Sequence, residues 1–296
     1  MEKLVCITGT NASGKSSLAI ELAPKFDAEI VSADSRQVFK GLDLGSGKVT
    51  REEMKGVRHH LIDVAEPGEF FSLAHFQHLA YEAIDDIHQR GRRAFLTGGT
   101  GLYINAVADG YDLSGAAPDP ALRRSVEEKT KEELIDIIKS KSEDALYGLD
   151  LNNKRRLERA AEKALSNDIK RPNKPRYETL ILGVTWPRDE LYERIRIRLD
   201  ARLEEGMIDE VKNLMSCGVS DDFLYRLGLE YRYILMYLRG RFSDYDSFYK
   251  KLFMEIRHLA KEQMTWFRKR SDIVWIDMKD DPAGKCSDII DAFYKR

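Results

Sequence analysis

Short runs of consecutive apolar residues alternate along this chain with longer stretches where apolar residues recur every three or four positions. The first kind of pattern marks strands buried on both faces; the second marks amphipathic helices. Leu4-Val5-Cys6-Ile7 predicts the first strand. Ala28 to Ala33 predicts a second, His59 to Val64 a third, Arg93 to Thr97 a fourth, Leu180 to Val184 a fifth and Ile273 to Ile276 a last one. Between them, Leu18, Ala19 and Leu22 lie at helical spacing. From Ser72 to Arg90, Leu73, Phe76, Leu79, Ala80, Ala83, Ile84 and Ile87 make one apolar stripe, which Gly91 ends. Helices are also predicted over 189–205, 207–215, 231–238, 243–268 and 286–294. In the long one, Phe248, Leu252, Ile256 and Leu259 form the buried stripe. Strands alternating with helices predict an α/β fold with a parallel sheet flanked by helices.

The rhythm breaks once. Gly115 to Pro120 is linker-like, residues 121–166 are helical and highly charged without a strand, and 167–175 hold two prolines. This predicts a discontinuous core, residues 1–114 and 177–296, interrupted by a small all-helical insertion over 115–176.

Gly9-Thr10-Asn11-Ala12-Ser13-Gly14-Lys15-Ser16, set between the first strand and the first helix, fits G-x-x-x-x-G-K-[ST]. The core sheet is therefore expected to be P-loop-type. Glycines let the backbone wrap an anion, and the loop amides and helix N-terminus point at it. Lys15 adds a point charge, and the Ser16 hydroxyl is suited to Mg²⁺. The loop leaves open whether phosphate is transferred, hydrolysed or expelled.

Asp34 follows the second strand, where ligands gather in an open parallel sheet. A carboxylate there can take a proton from a nucleophile or bind Mg²⁺ through water; its alternative role is to cap a turn. Asp63 is a candidate second carboxylate on the Mg²⁺ side. Thr100 ends a strand between glycines, where it suits either substrate contact or a helix N-cap. His59 and His60 are adjacent and point to opposite faces of a strand, so no joint metal site is expected. Trp266 and Trp275 read as core side chains.

Net charge is −2 over 296 residues, so a polyanion site has to be local. Three basic clusters qualify. Arg156, Arg159 and Lys163 share a helical face; Arg194, Arg198 and Arg202 repeat every four residues beside Arg196; Lys250, Arg257, Lys261 and Arg268 lie away from the buried stripe. Each alone reads as a solvated face; three beside a phosphate loop point to an anionic polymer. Cys6, Cys217 and Cys286 form no zinc spacing or disulfide framework. With no apparent signal peptide or membrane span, a cytoplasmic protein is expected.

Several stretches carry a resemblance: Gly9 to Ser16, Ser32 to Asp43, His60-Leu61-Ile62-Asp63, Gly98 to Tyr103, and Ala260-Lys261-Glu262-Gln263-Met264-Thr265-Trp266-Phe267-Arg268. In these the chain closely resembles the tRNA dimethylallyltransferases, also called tRNA isopentenyltransferases, over nearly its whole length. The resemblance implies that dimethylallyl diphosphate alkylates N6 of the adenosine just 3′ of the anticodon, in tRNAs reading U-starting codons. Mg²⁺ assists and diphosphate leaves. It implies roles for Asp34, Thr100 and Lys15 in the reaction, and diphosphate binding by the loop and Arg198. It further implies tRNA contacts at Asp34, Ser35, Arg36, Gln37 and Thr100, and, with the insertion gripping the anticodon stem-loop, at Arg123, Arg155, Arg156, Arg159, Arg257, His258 and Lys261. A monomer is expected.

The chain departs from the family pattern at Glu262, where a basic residue is usual, at Gly228-Leu229-Glu230-Tyr231, at Gly9-Thr10-Asn11 and at Gly45-Ser46-Gly47-Lys48. A small-molecule or nucleotide kinase shares the loop and a helical insertion and stands as the alternative. An RNA-binding protein with a degenerate nucleotide site is a third reading.

Overall fold

The computed structural model describes residues 1–113, 120–141, 143–147, 149–166 and 172–296. They divide into two compact units, one built from residues 1–110 and 175–296, the other from 111–174.

The first unit opens with β1 (Lys3–Gly9), α1 (Lys15–Leu22), β2 (Ala28–Ser32), β3 (His59–His60), α2 (Leu73–Gln89), β4 (Arg93–Gly98) and α3 (Gly101–Ala108). The six-stranded sheet, ordered β3-β2-β4-β1-β5-β6, is completed by β5 (Glu178–Thr185) and β6 (Ile273–Asp277). Every pairing is parallel. On β1, Leu4 and Cys6 face one core with α2 and α3, while Val5 and Ile7 face another with α1. Both faces are buried, which is why β1 reads as an unbroken apolar run. Each large apolar side chain buried this way contributes about 1.5–3 kcal/mol.

The third strand is shorter than its apolar pattern predicts. Leu61 and Asp63 take positive φ values of 62° and 57°, which end the ladder after His60. Leu61 is still buried. Its apolar character reports burial rather than strand. Trp275 is likewise no core residue. It stands more than a third exposed on β6, an edge strand, whereas Trp266 packs against the core.

Beyond the sheet, α7 (Arg188–Glu204), α8 (Met207–Ser216), α9 (Asp221–Leu227), α10 (Leu229–Leu238) and α11 (Tyr245–Phe267) surround a third core around Tyr231, Phe248 and Leu252. The last helix, α12 (Pro282–Lys295), packs with the α1 side of the sheet. A capping box of Asp244 and Ser247 starts α11.

The second unit contains α4 (Pro120–Glu127), α5 (Lys131–Lys141) and α6 (Lys154–Leu165) around Val126, Leu134, Ile138, Leu157 and Ala161. No strand occurs among its described residues. The linker-like residues 114–119 and 167–171 lie outside the described residues.

Candidate active site

The carboxyl ends of β1, β2 and β4 converge, and the loops leaving them line one cleft of the first unit. The ends are laced together: Ala33 N donates to Thr97 O at 2.8 Å and Thr100 N to Ala33 O at 3.3 Å. Gly98 allows this approach, since a Cβ there would overlap the Ala33 carbonyl.

In the loop after β1, Ala12 and Gly14 take positive φ, 56° and 85°, so the backbone curls before α1 begins at Lys15. Its carbonyls are tied both from within the loop and from outside. Ser13 Oγ and Lys15 Nζ donate to Thr10 O at 2.7 and 3.1 Å, Arg194 Nε to Ala12 O at 3.0 Å, and Trp186 Nε1 to Ser13 O at 2.9 Å. A peptide whose oxygen is held on one side turns the following N–H to the other, so the Gly14 amide opposes Trp186. No side chain caps α1 and no acidic residue sits in its first turn. That leaves its N-terminal donors for an anion. One amide departs from the expectation that the whole loop cradles phosphate: Asn11 N donates to Gln263 Oε1 at 2.8 Å.

The cleft has two halves, of about 80 and 440 Å³. Ala12, Lys15, Ser16, Gly47, Arg198 and Arg202 line both, forming a cationic waist. Burial first, then Arg198 and Arg202, bring the Lys15 ammonium down to about 8, against the pull of Asp34. Burial and Arg202 also lower Arg198, although its exposure on the cleft wall lets water screen part of that crowding. Arg198 Nη2 donates to Gly47 O at 3.1 Å, as does Gln37 Nε2 at 3.2 Å. Of the four neighbouring arginines, Arg196 alone turns away, to Glu193 and Asp200. This cluster therefore faces the phosphate loop and not an outer polymer-binding surface.

Asp34, Arg36, Gln37 and Thr97 line the smaller half. Asp34 Oδ1 accepts from Arg36 N at 3.0 Å, and Oδ2 has no hydrogen-bond partner among the described residues. Thr100 occupies the N-cap position of α3, yet its side chain makes no cap bond. Instead its hydroxyl accepts from Ser35 N at 3.1 Å, bracing the turn that carries Asp34. Arg36 Nε donates to Leu227 O, and its guanidinium lies 3.6 Å from Glu230. Asp63 does not join this group; it pairs with Lys48. No group of three or more His, Cys, Asp or Glu suited to a metal occurs among the described residues.

The remaining basic residues divide. Arg257 stacks 4.0 Å over the Tyr192 ring, His258 lies 3.6 Å from Glu262, and Lys261 is exposed on α11. In the second unit, Arg123 and Arg159 both bond Glu162. Burial raises that carboxyl, but the two arginines outweigh it and the net shift is downward. Arg155 and Arg156 are exposed, with no ion pair among the described residues. Sequence reasoning did not single out Gln263, Glu230 or Trp186. Only the quoted motifs around Gln263 and Glu230 gave any sign of them.

The IPP transferase family profile matches residues 37–270. The chain belongs to the IPP transferase family. A tRNA dimethylallyltransferase of Acetivibrio thermocellus is 39% identical over 289 residues, spanning 94% of this chain and 92% of its own. A tRNA dimethylallyltransferase 2 of Trichlorobacter lovleyi is 40% identical over 298 residues, spanning 98% and 97%. Among solved structures, the full-length tRNA isopentenylpyrophosphate transferase of Bacillus halodurans has 37% identity and a TM-score of 0.76, covering 99% of this chain and 96% of its own. Among the described residues of this IPP transferase, no helix is long and apolar enough to cross a membrane.

Proposed function

We propose that this protein transfers a dimethylallyl group from dimethylallyl diphosphate to N6 of the adenosine just 3′ of the anticodon in tRNAs reading U-starting codons. The observation that carries the reading is one cleft holding a cationic phosphate waist beside a carboxylate with a free oxygen. The named activities of relatives covering nearly the whole chain support it.

The target base leaves its stack to enter the smaller half of the cleft. Asp34 accepts a hydrogen bond from the exocyclic amine and aligns it on the allylic carbon. Ser35, held by Thr100, fixes that turn. The N6–C bond forms as the C–O bond to diphosphate breaks. The amine proton passes to Asp34, and the electron pair leaves on diphosphate. Charge growing there meets Lys15, Arg198 and the α1 amides.

Mg²⁺ supplies further neutralisation of the diphosphate when bound. The Ser16 hydroxyl, on the cationic waist of the cleft, would hold such an ion, which keeps several waters and takes few protein ligands. Contacts of Arg36, Gln37, Arg257, His258 and Lys261 with tRNA, and of Arg155 and Arg156 in the helical unit, belong to the same reading; Arg123 and Arg159, expected there too, are engaged by Glu162. So do a cytoplasmic setting and a monomer.

The test is incubation with labelled dimethylallyl diphosphate, Mg²⁺ and unmodified tRNA, without ATP. Label is expected in the RNA; ATP consumption with no label transfer would refute the reading and favour a kinase. Asp34→Asn keeps the turn and removes the proton acceptor, so the transfer rate should fall about 10²–10⁴-fold while RNA binding persists.

A further inference from the structure

Gln263 connects three elements at the floor of the cleft. Its Oε1 accepts from Asn11 N at 2.8 Å, and its Nε2 donates to Gly99 O at 3.0 Å. Asn11 belongs to the phosphate-binding loop, Gly99 to the turn between β4 and α3, and Gln263 to α11. The primary amide is the chemical type that can accept from one main chain and donate to another at once. Gly99 is part of the fit, since a Cβ there would stand 2.9 Å from Gln263 Nε2 and 3.4 Å from Lys15 Nζ. Asn11 is gripped a second time by α11, with its Nδ2 donating to Ile256 O at 3.3 Å. Ile256 and Gln263 are seven residues apart and so share a face of the helix. Both line the cleft.

We infer that Asn11 and Gln263 form a clip that registers the phosphate-binding loop and the Gly99 turn against α11. On this assignment they are positioning residues for group transfer. The clip acts on the reaction in two ways. It takes up the Asn11 amide, so phosphate rests on the later amides of the loop and on Lys15. It also sets that cradle at a fixed distance from the β4 end, through which Thr100 braces the Asp34 turn. Donor and acceptor are then held at one spacing, which is what in-line attack by an amine requires. The consequence for the reaction rests on the transferase reading; the clip itself does not.

Gln263→Met keeps the length of the side chain and removes both hydrogen bonds. In the protein alone, with no RNA or donor, amide hydrogen exchange at Asn11 is expected to accelerate at least about tenfold, since its N–H loses its partner. Unchanged exchange overturns the clip, whatever the protein does to RNA. With both substrates, the single-turnover transfer rate should fall about 10²-fold, the size expected for misplacing reactive groups by about 1 Å. Binding of inorganic diphosphate and of RNA, each measured separately, should stay within about twofold of the unaltered protein, and the melting temperature should hold. An equal loss in both affinities and in melting temperature means a structural role and overturns the positioning role. Gln263→Glu keeps the acceptor for Asn11 but not the donor to Gly99, so it should recover part of the Asn11 protection. In a cycle with Asn11→Ala, which keeps the main-chain N–H bonded to Gln263 and removes only the Nδ2 bond to Ile256 O, the two losses of rate should fall short of additivity, because both bonds hold the same loop against α11. Full additivity overturns the shared role. No label transfer by the unaltered protein would instead count against the transferase reading and leave the exchange experiment to decide on the clip.

Discussion

Lys15 shares the waist of the cleft with Arg198 and Arg202, and burial with that crowding brings its ammonium down to about 8. A depressed lysine disfavours its own charge in the folded state. The empty protein should therefore gain stability as pH rises from about 8 toward the unfolded value. A bound diphosphate reverses the balance and raises Lys15 again. Well below pH 8 the ammonium is already charged, and Lys15 adds no pH dependence to donor affinity. Above it, binding has to recover a proton, so affinity should fall by up to about tenfold per pH unit. Calorimetry with dimethylallyl diphosphate at pH 8.5, in buffers of different ionisation enthalpy, should show proton uptake that Lys15→Met abolishes. Gly47 makes the same waist possible. A Cβ there would overlap the Arg202 guanidinium and crowd Arg198, and its φ of 63° adds strain for any L side chain. Gly47→Ala should displace these cations and raise KM for the donor about ten- to a hundredfold, the worth of one or two charge-assisted hydrogen bonds. Steady-state kinetics at saturating RNA measures it.

Glu29 lies near the start of β2, at the strand ends away from the cleft, and ties three elements together. It bonds Arg90 after α2, Arg92 before β4 and His60 on β3. The Arg90 hydrogen bond, working against burial and helped by His60 and Arg92, holds its carboxyl at about 2. A depressed carboxyl contributes stability above its unfolded value near 4.5, and that contribution is lost as pH falls toward 2. Glu29→Gln should cost roughly 1–3 kcal/mol at pH 7 by weakening the charge-assisted bonds to Arg90 and Arg92, which keep Asp86 and Asp27 as partners. Urea unfolding at pH 7, 4.5 and 2.5 should show the gap between the two proteins closing as the solution becomes more acidic. The strand carrying Glu29 was readable from sequence, because a sheet buried on both faces writes itself as apolar runs. The end of β3 was not, since Leu61 is apolar for burial while its backbone is left-handed. Nor was α9, whose seven residues are too few to show a stripe. The same divide runs through the site. Gly9 to Ser16, Asp34 and Thr100 stand at the ends of readable strands. Gln263, Glu230 and Gly47 matter through neighbours far away in the chain, a relation that no local spacing encodes.

On the scale of the whole molecule, a net charge of −2 leaves RNA binding to a few segregated cations. The basic residues of the helical unit are not equivalent. Arg123 and Arg159 are spent on Glu162, which they hold ionised inside their own unit. Arg155 and Arg156, on the same α6, are exposed without an ion pair among the described residues, as is Lys163, so these three are cations available to phosphates. Replacing Arg155 and Arg156 by alanine should weaken tRNA binding and reduce the slope of log K against log salt by about 1–2, since each lost phosphate contact releases about one counterion less. The melting temperature should stay where it was. Arg159→Ala should do the reverse. It leaves the buried Glu162 with one partner, lowers the stability of the unit, and changes the salt slope little. Titration of labelled tRNA across a salt series, with thermal unfolding of the same variants, separates the two. Equal slopes for all variants would remove Arg155 and Arg156 from the RNA-binding surface and leave Lys163 and the cations of α11 to carry that task.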